Sequence, residues 1–170
     1  MSERVTKEEL KTLSELFKLS SRRYLGDRLP NLEARKIGEL FVVFMVYPSR
    51  CGDYDIYSGD WEHHHETHLV SADLVNKCKV GTFSLKYTTE WPSNNSVQTV
   101  FDEDIQELRI DDKRLLINIH QRWFGKEPIV WIQGGTGVRS SSWQATRKPT
   151  KTGTRTVTLD IPDSFSDRGC

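Results

Sequence analysis

The sequence predicts an α+β fold, in which one N-terminal helix precedes an antiparallel or mixed sheet of six to seven strands that can curl into a barrel. Three patterns support this fold: apolar residues at helical spacing near the N-terminus, one continuous apolar run, and later segments in which apolar and polar residues alternate. A chain of 170 residues can bury most of its apolar surface in one core. We therefore expect a single domain over residues 1–170.

The helix is predicted over residues 6–24. Thr6 and Glu9 have the spacing of a capping box, in which each side chain accepts a hydrogen bond from the backbone N–H of the other residue. Apolar residues follow at helical spacing, namely Leu10, Leu13, Leu16, Phe17 and Tyr24. A stripe of this kind usually packs against its own domain, although it could dock on a partner or a membrane surface.

A β-rich core is predicted over residues 38–161, followed by a frayed tail at 162–170. The run 40–47 is almost entirely β-branched or aromatic, as in a central strand that is covered on both faces. Further strands are predicted at 61–70, 81–88, 115–124, 129–132, 143–146 and 156–161. The segments 115–124 and 129–132 are expected to pair with each other as a hairpin.

The charge balance argues against a dedicated nucleic-acid binder. Lys and Arg total 24, as do Asp and Glu, so the formal net charge is zero and the chain has no general attraction for phosphate backbones. The first residues are charged and no apolar run reaches the roughly 18 residues of a membrane span. We expect a cytoplasmic protein without a transmembrane span, in which the three cysteines are reduced thiols because none forms a CxxC pair.

The segment 61–68 holds four of the five histidines. On a strand, alternate residues share one face, and these are Trp61, His63, His65, Thr67 and Leu69. His63 and His65 could then bind one metal ion, with His120 from a neighbouring strand as a third ligand. The HExxH spacing of a zinc protease is absent. The alternatives are a polar strand with solvated histidines and a pH sensor that titrates near pH 6.

No motif of an enzyme is present. The chain lacks a GxSxG elbow, and the glycine-rich segment 134–137 lacks the Lys-Ser or Lys-Thr pair of a phosphate-binding loop. The sequence therefore predicts a non-enzymatic protein with no catalytic residue and no cofactor.

Two compositional features favour association as the activity. Basic residues are concentrated in the last quarter of the chain and are candidates for contact with a membrane or a nucleocapsid, namely Arg139, Arg147, Lys148, Lys151 and Arg155. Five tryptophans lie on or beside predicted strands, and tryptophan is enriched at protein interfaces. We expect a homo-oligomer that also contacts ribonucleoprotein and anionic membrane surfaces.

The order of these segments resembles that of the rhabdovirus matrix proteins, in particular the short ones of plant rhabdoviruses. The resemblance covers about residues 38–133 and includes the strand 40–47, the histidine-bearing segment, the strand 81–87 and the strands from Leu115 to Ile132. It implies a structural protein that bridges nucleocapsid and envelope by self-association and peripheral membrane contact, in the host cytoplasm and the virion. Two alternatives stay open: a small β-barrel that binds a metal or small ligand, with or without enzymatic activity, and an unassigned intracellular interaction module.

Overall fold

The computed structural model describes residues 3–21, 31–50, 59–90, 98–125, 130–134, 142–146, 148–163 and 165. Within these residues lie one helix, α1 (Lys7–Ser21), and nine strands. The strands are β1 (Asn31–Ile37), β2 (Leu40–Arg50), β3 (Gly59–Val70), β4 (Lys77–Glu90), β5 (Gln98–Asp111), β6 (Arg114–Trp123), β7 (Val130–Gly134), β8 (Ser142–Thr146) and β9 (Lys151–Asp160). The predicted α+β class with an N-terminal helix is confirmed.

Helix α1 begins at the predicted capping box. The Thr6 N–H donates to Glu9 Oε1 and the Glu9 N–H donates to Thr6 Oγ1, each over 3.1 Å. Leu13 and Phe17 are buried and hold the helix against one face of β2. The amphipathic stripe of α1 therefore packs on its own domain. The helix extends to Ser21, and residues 22–24 of the prediction lie outside the described residues.

Seven strands form one antiparallel sheet in the order β1-β2-β3-β4-β5-β6-β9, and β7 pairs with β8 in a separate two-stranded sheet. The predicted pairing of 115–124 with 129–132 is wrong, because β6 pairs with β5 and β9 instead. A two-residue turn joins β5 to β6, with φ of 44° at Asp112 and 63° at Lys113. Positive φ at both central positions matches the twist of a tight hairpin, so this turn selects β5 as a partner of β6.

The barrel prediction is wrong, because the sheet is open and its two edges are β1 and β9. β4 pairs with β5 only over Tyr87–Glu90 and Gln98–Asp102, so the two strands diverge beyond that short ladder. One half of the sheet contains β1 to β4 and the other contains β5, β6 and β9. The two halves pack against each other over a shared core, and the edge strands β1 and β9 are not paired with each other. At that contact, a Cβ added to Gly81 in β4 would lie 2.8 Å from Leu159 Cδ2 in β9.

Strand β2 is buried on both faces, as its continuous apolar run predicts. On one face Val42, Phe44 and Val46 join the larger core, which also contains buried side chains of β3, β4, β5 and β6. On the other face, residues of β2 join the smaller core under α1, namely Phe41, Val43 and Met45. Strand β2 therefore ties the helix to the sheet.

Cys78 is disulfide-bonded, so the expectation of reduced thiols is wrong for this residue, and its partner lies outside the described residues.

In the described part of the chain, no helix has the length and apolar character needed to cross a bilayer. Residue Phe165, in the predicted tail, packs against the larger core.

Candidate functional site

The histidines of β3 lie in two different environments. His65 points into the larger core, where its ring stacks on Phe83 at 4.7 Å and meets Phe44 edge-on at 6.0 Å. Its side chain is 2% exposed, and Nδ1 lies 2.9 Å from the carbonyl oxygen of His63. Burial lowers the pKa of His65 from its ordinary value to about 4. The ring is therefore neutral at physiological pH and acts as a core aromatic.

His68 points to the other side, between the sheet and α1. Its Nε2 lies 2.7 Å from Glu66 Oε1, and its ring meets Phe17 of the helix at 4.9 Å. Burial lowers the pKa of His68, although the Glu66 carboxylate opposes this shift. Neither His65 nor His68 has the solvent access of a metal ligand open to substrate.

The structure does not bring the three proposed metal ligands together. His63 and His65 share a face of β3, but His120 lies on β6, and both β4 and β5 lie between these strands in the sheet. His120 also alternates with the buried Ile117 and Ile119, so it projects from the face of β6 opposite the larger core. No group of three His, Cys, Asp or Glu residues that could hold a metal ion occurs among the described residues.

Three of the five proposed basic contact residues lie in the described part of the chain. Lys148 and Lys151 are exposed, and the Lys151 ammonium lies 4.9 Å from the centre of the Trp123 ring. Arg155 is committed elsewhere, because its Nε donates to Glu103 Oε2 over 2.6 Å. Arg139 and Arg147 lie outside the described residues. Of the described members of this set, Lys148 and Lys151 are the ones that face solvent.

Glu103 on β5 is the centre of a polar cluster that joins four strands, β4, β5, β6 and β9. Its side chain is 2% exposed and accepts hydrogen bonds from Arg155, from Gln121 Nε2 and from the Lys86 backbone N–H. Burial alone would raise the pKa of Glu103, but these donors outweigh it and lower the pKa below the ordinary value. Arg155 also donates to the Ser84 carbonyl oxygen, which fixes β9 against β4. The cluster is a structural joint between the two halves of the sheet.

The outer edge of β9 is the main candidate site. β9 pairs with β6 along its whole length, and no strand lies on its other side among the residues that the structure describes. The Ile161 N–H donates to Lys113 O over 2.8 Å, and hydrogen-bonding residues alternate along an antiparallel ladder. The peptide groups that point away from β6 therefore belong to the other set of alternate residues. These are Thr152, Thr154, Thr156, Thr158 and Asp160, and all five are exposed.

The opposite edge of the sheet is protected, which makes β9 distinctive. At β1, the backbones of Glu3 and Lys36 exchange two hydrogen bonds of 2.6 and 3.1 Å, so the N-terminal segment covers part of that edge. Charged side chains also line β1 at Glu33, Arg35 and Lys36, and such charges discourage strand addition. β9 carries uncharged, β-branched threonines at four of its five outward positions and contains no proline.

Comparison of this chain with models of protein families, with curated proteins and with solved structures finds no match in any of the three. The geometry of the site is therefore the sole basis for assigning its function. The sequence patterns had indicated a strand at 156–161 but not its position at an edge. The signal that could have indicated it is the threonine at every second residue from 152 to 158.

Proposed function

We propose that this protein is a non-enzymatic, self-associating structural protein that assembles through the open edge of β9. The observation that supports this most is a ten-residue strand whose outward peptide groups have no strand partner among the described residues. An unpaired edge of this length is a template for the addition of another strand. The side chains on it are polar enough for the free protein to stay in solution and β-branched enough to favour a ladder.

Thr156→Pro is expected to abolish self-association while the subunit still folds. The Thr156 N–H points away from β6, so proline removes a donor from the open edge without breaking the β6–β9 ladder. We expect the wild-type chain to sediment above its 19.7 kDa mass as protein concentration rises, and Thr156→Pro to stay monomeric.

Thr156→Val is the matched control for this experiment. It keeps the backbone N–H and the β-branched shape and loses, as Thr156→Pro also does, the hydroxyl that donates to Asn118 Oδ1 over 2.8 Å, so it should still associate. A wild-type chain that is monomeric at every concentration would overturn the proposed function. A Thr156→Pro variant that still associates would show that a surface other than β9 is used.

We also propose, on the resemblance to rhabdovirus matrix proteins, that the assembled protein links a nucleocapsid to an anionic membrane surface. Lys148 and Lys151 support this step, because they are exposed cations beside the assembling strand. Each subunit of an oligomer would contribute its own two lysines. Contacts that are weak singly would then give the oligomer a higher overall affinity for the membrane.

The membrane contact is expected to be electrostatic. Wild-type protein should pellet with vesicles that contain phosphatidylserine at low salt, and less at high salt, since each exposed lysine near such a surface contributes about 1 kcal/mol. Lys148→Gln with Lys151→Gln should remove the pelleting even at protein concentrations at which sedimentation shows that the variant is as fully associated as the wild type. Equal pelleting with neutral vesicles would contradict this step.

A further inference from the structure

The charges and the outward peptide groups along the open edge of β9 indicate which strand can pair with it. We infer that the strand added to β9 is β9 of a second copy of this chain, paired antiparallel about a two-fold axis that passes beside Thr156. This inference rests on the proposed function, since it names the partner and the register of the same edge. Its first support is the direction of the charges along the strand.

Charge runs from positive to negative along β9. Lys151 begins the strand and Lys148 precedes it, whereas Asp160 ends the strand; Asp163, which follows, already pairs with Lys113 of its own subunit at 3.0 Å. An antiparallel pair brings the basic start of one strand beside the acidic end of the other, and a parallel pair would bring like charges together. Opposite charges across neighbouring strands are favourable and like charges are not. The edge is therefore self-complementary only in the antiparallel direction.

The register follows from the outward peptide groups. If Thr156 lies opposite Thr156 of the second copy, Thr154 lies opposite Thr158 and Thr152 lies opposite Asp160. All five outward residues of both strands then have a hydrogen-bonded partner. A shift of the two-fold axis toward either end leaves outward groups of at least one residue unpaired on each strand, and unpaired backbone groups at a closed interface are unfavourable.

Side chains across this register are compatible on both faces. On the outer face, threonine hydroxyls meet each other, and Thr152 meets the Asp160 carboxylate, which can accept its hydrogen bond. On the inner face, Gly153 lies opposite Leu159 and Arg155 lies opposite Val157. The neighbouring register centred on residue 155 would instead place two Arg155 side chains opposite each other. That register also leaves the Asp160 peptide unpaired.

A dimer formed in this way has a closed two-fold interface, because the same surface serves on both subunits. The two seven-stranded sheets would join into one continuous sheet of 14 strands. The edge at β1 stays at the outside of this dimer, where Glu3 and the charged residues protect it. Association through β9 therefore stops at the dimer unless another surface extends it.

Two double variants test the register directly, because Thr154 and Thr158 are opposite each other only in the inferred dimer. Thr154→Lys with Thr158→Glu places unlike charges across the interface twice, whereas Thr154→Lys with Thr158→Lys places like charges there twice. Both positions are exposed in the subunit, so the two variants should unfold at similar temperatures. The dissociation constant of the like-charged variant should be at least about tenfold higher.

A mixing experiment completes the test. Thr154→Lys with Thr158→Lys should remain monomeric, as should Thr154→Glu with Thr158→Glu, and an equimolar mixture of the two should dimerise. The inference is overturned if wild-type protein associates, Thr156→Pro does not, and the charge variants nevertheless behave alike, because another register or direction is then in use. If the wild type itself never associates, the proposed function fails and the register with it.

Discussion

Arg155→Ala is expected to lower the free energy of unfolding by about 3 kcal/mol at neutral pH, because it leaves a buried carboxylate without its cation. Glu103 is 2% exposed and its Oε2 lies 2.6 Å from Arg155 Nε. The Gln121 amide and the Lys86 N–H remain as donors, but neither carries charge. Urea denaturation of the wild type and the variant measures the difference.

Arg122→Ala is the matched control for that prediction. The Arg122 side chain is 34% exposed, against 35% for Arg155, and it also makes a 2.6 Å contact to a carboxylate. Its partner Asp102 is 27% exposed, so water can solvate the carboxylate that is left behind. We expect a loss below about 1 kcal/mol. Equal losses of unfolding free energy in the two variants would show that the burial of Glu103 does not determine how much its ion pair stabilises the fold.

The pH dependence of the unfolding free energy is a second, independent test of the role of the Arg155–Glu103 pair. The lowered pKa of Glu103 means that its pairing stabilises the fold above the ordinary glutamate pKa, and that this contribution is lost as the pH falls through the folded-state value. A neutral Glu103 needs no cation. The stability difference between the wild type and Arg155→Ala should therefore shrink in acid.

His65→Phe is expected to protect the fold against acid. In the folded chain burial lowers the pKa of His65 to about 4, whereas the unfolded chain keeps a value near 6.5. The unfolded state therefore binds one more proton between these values, and wild-type stability falls by about 3 kcal/mol as the pH drops from roughly 6.5 to 4. Above pH 6.5 this residue contributes no slope. Phenylalanine keeps the stacking with Phe83 and cannot take up a proton.

Chemical denaturation at a series of pH values from 7.5 to about 4 tests this expectation. His65→Phe should be within about 1 kcal/mol of the wild type at pH 7 and about 2 kcal/mol more stable near pH 4. Leu115→Ala is the control, since it loosens the same core from β6 at every pH, does not remove the ring that stacks on His65, and should leave the slope unchanged. A His65→Phe variant that keeps the wild-type slope would contradict the assignment of the acid sensitivity to this ring.

The buried positions of His65 and His68 bear on the hypothesis that the histidine segment is a pH sensor. His65 and His68 lie inside two cores of one chain, so their protonation acts on the stability of the subunit. A loss of association in mild acid would then follow unfolding of the subunit, and a thermal melt at the same pH distinguishes this from a loss at the β9 edge.

The sequence by itself determined the features that depend on neighbours along the chain. The capping box of α1 involves residues three apart, the doubly covered strand β2 is a continuous apolar run, and the shared face of His63 and His65 follows from alternation alone. These patterns are local, so they can be recognised before the strand pairing is known. The missed strand β5 shows the limit, because its many acidic residues hide its alternation.

Only the tertiary structure decided which strands are neighbours. Alternation marks a strand but not its partner, so the sequence could not show that β6 lies between β5 and β9, or that the sheet stays open. Partner choice in turn sets the burial of Glu103 beside Arg155, the separation of His120 from the β3 histidines, and the position of β9 at an edge. These features bring together residues that are distant in sequence, and packing of the whole chain is what places them in contact.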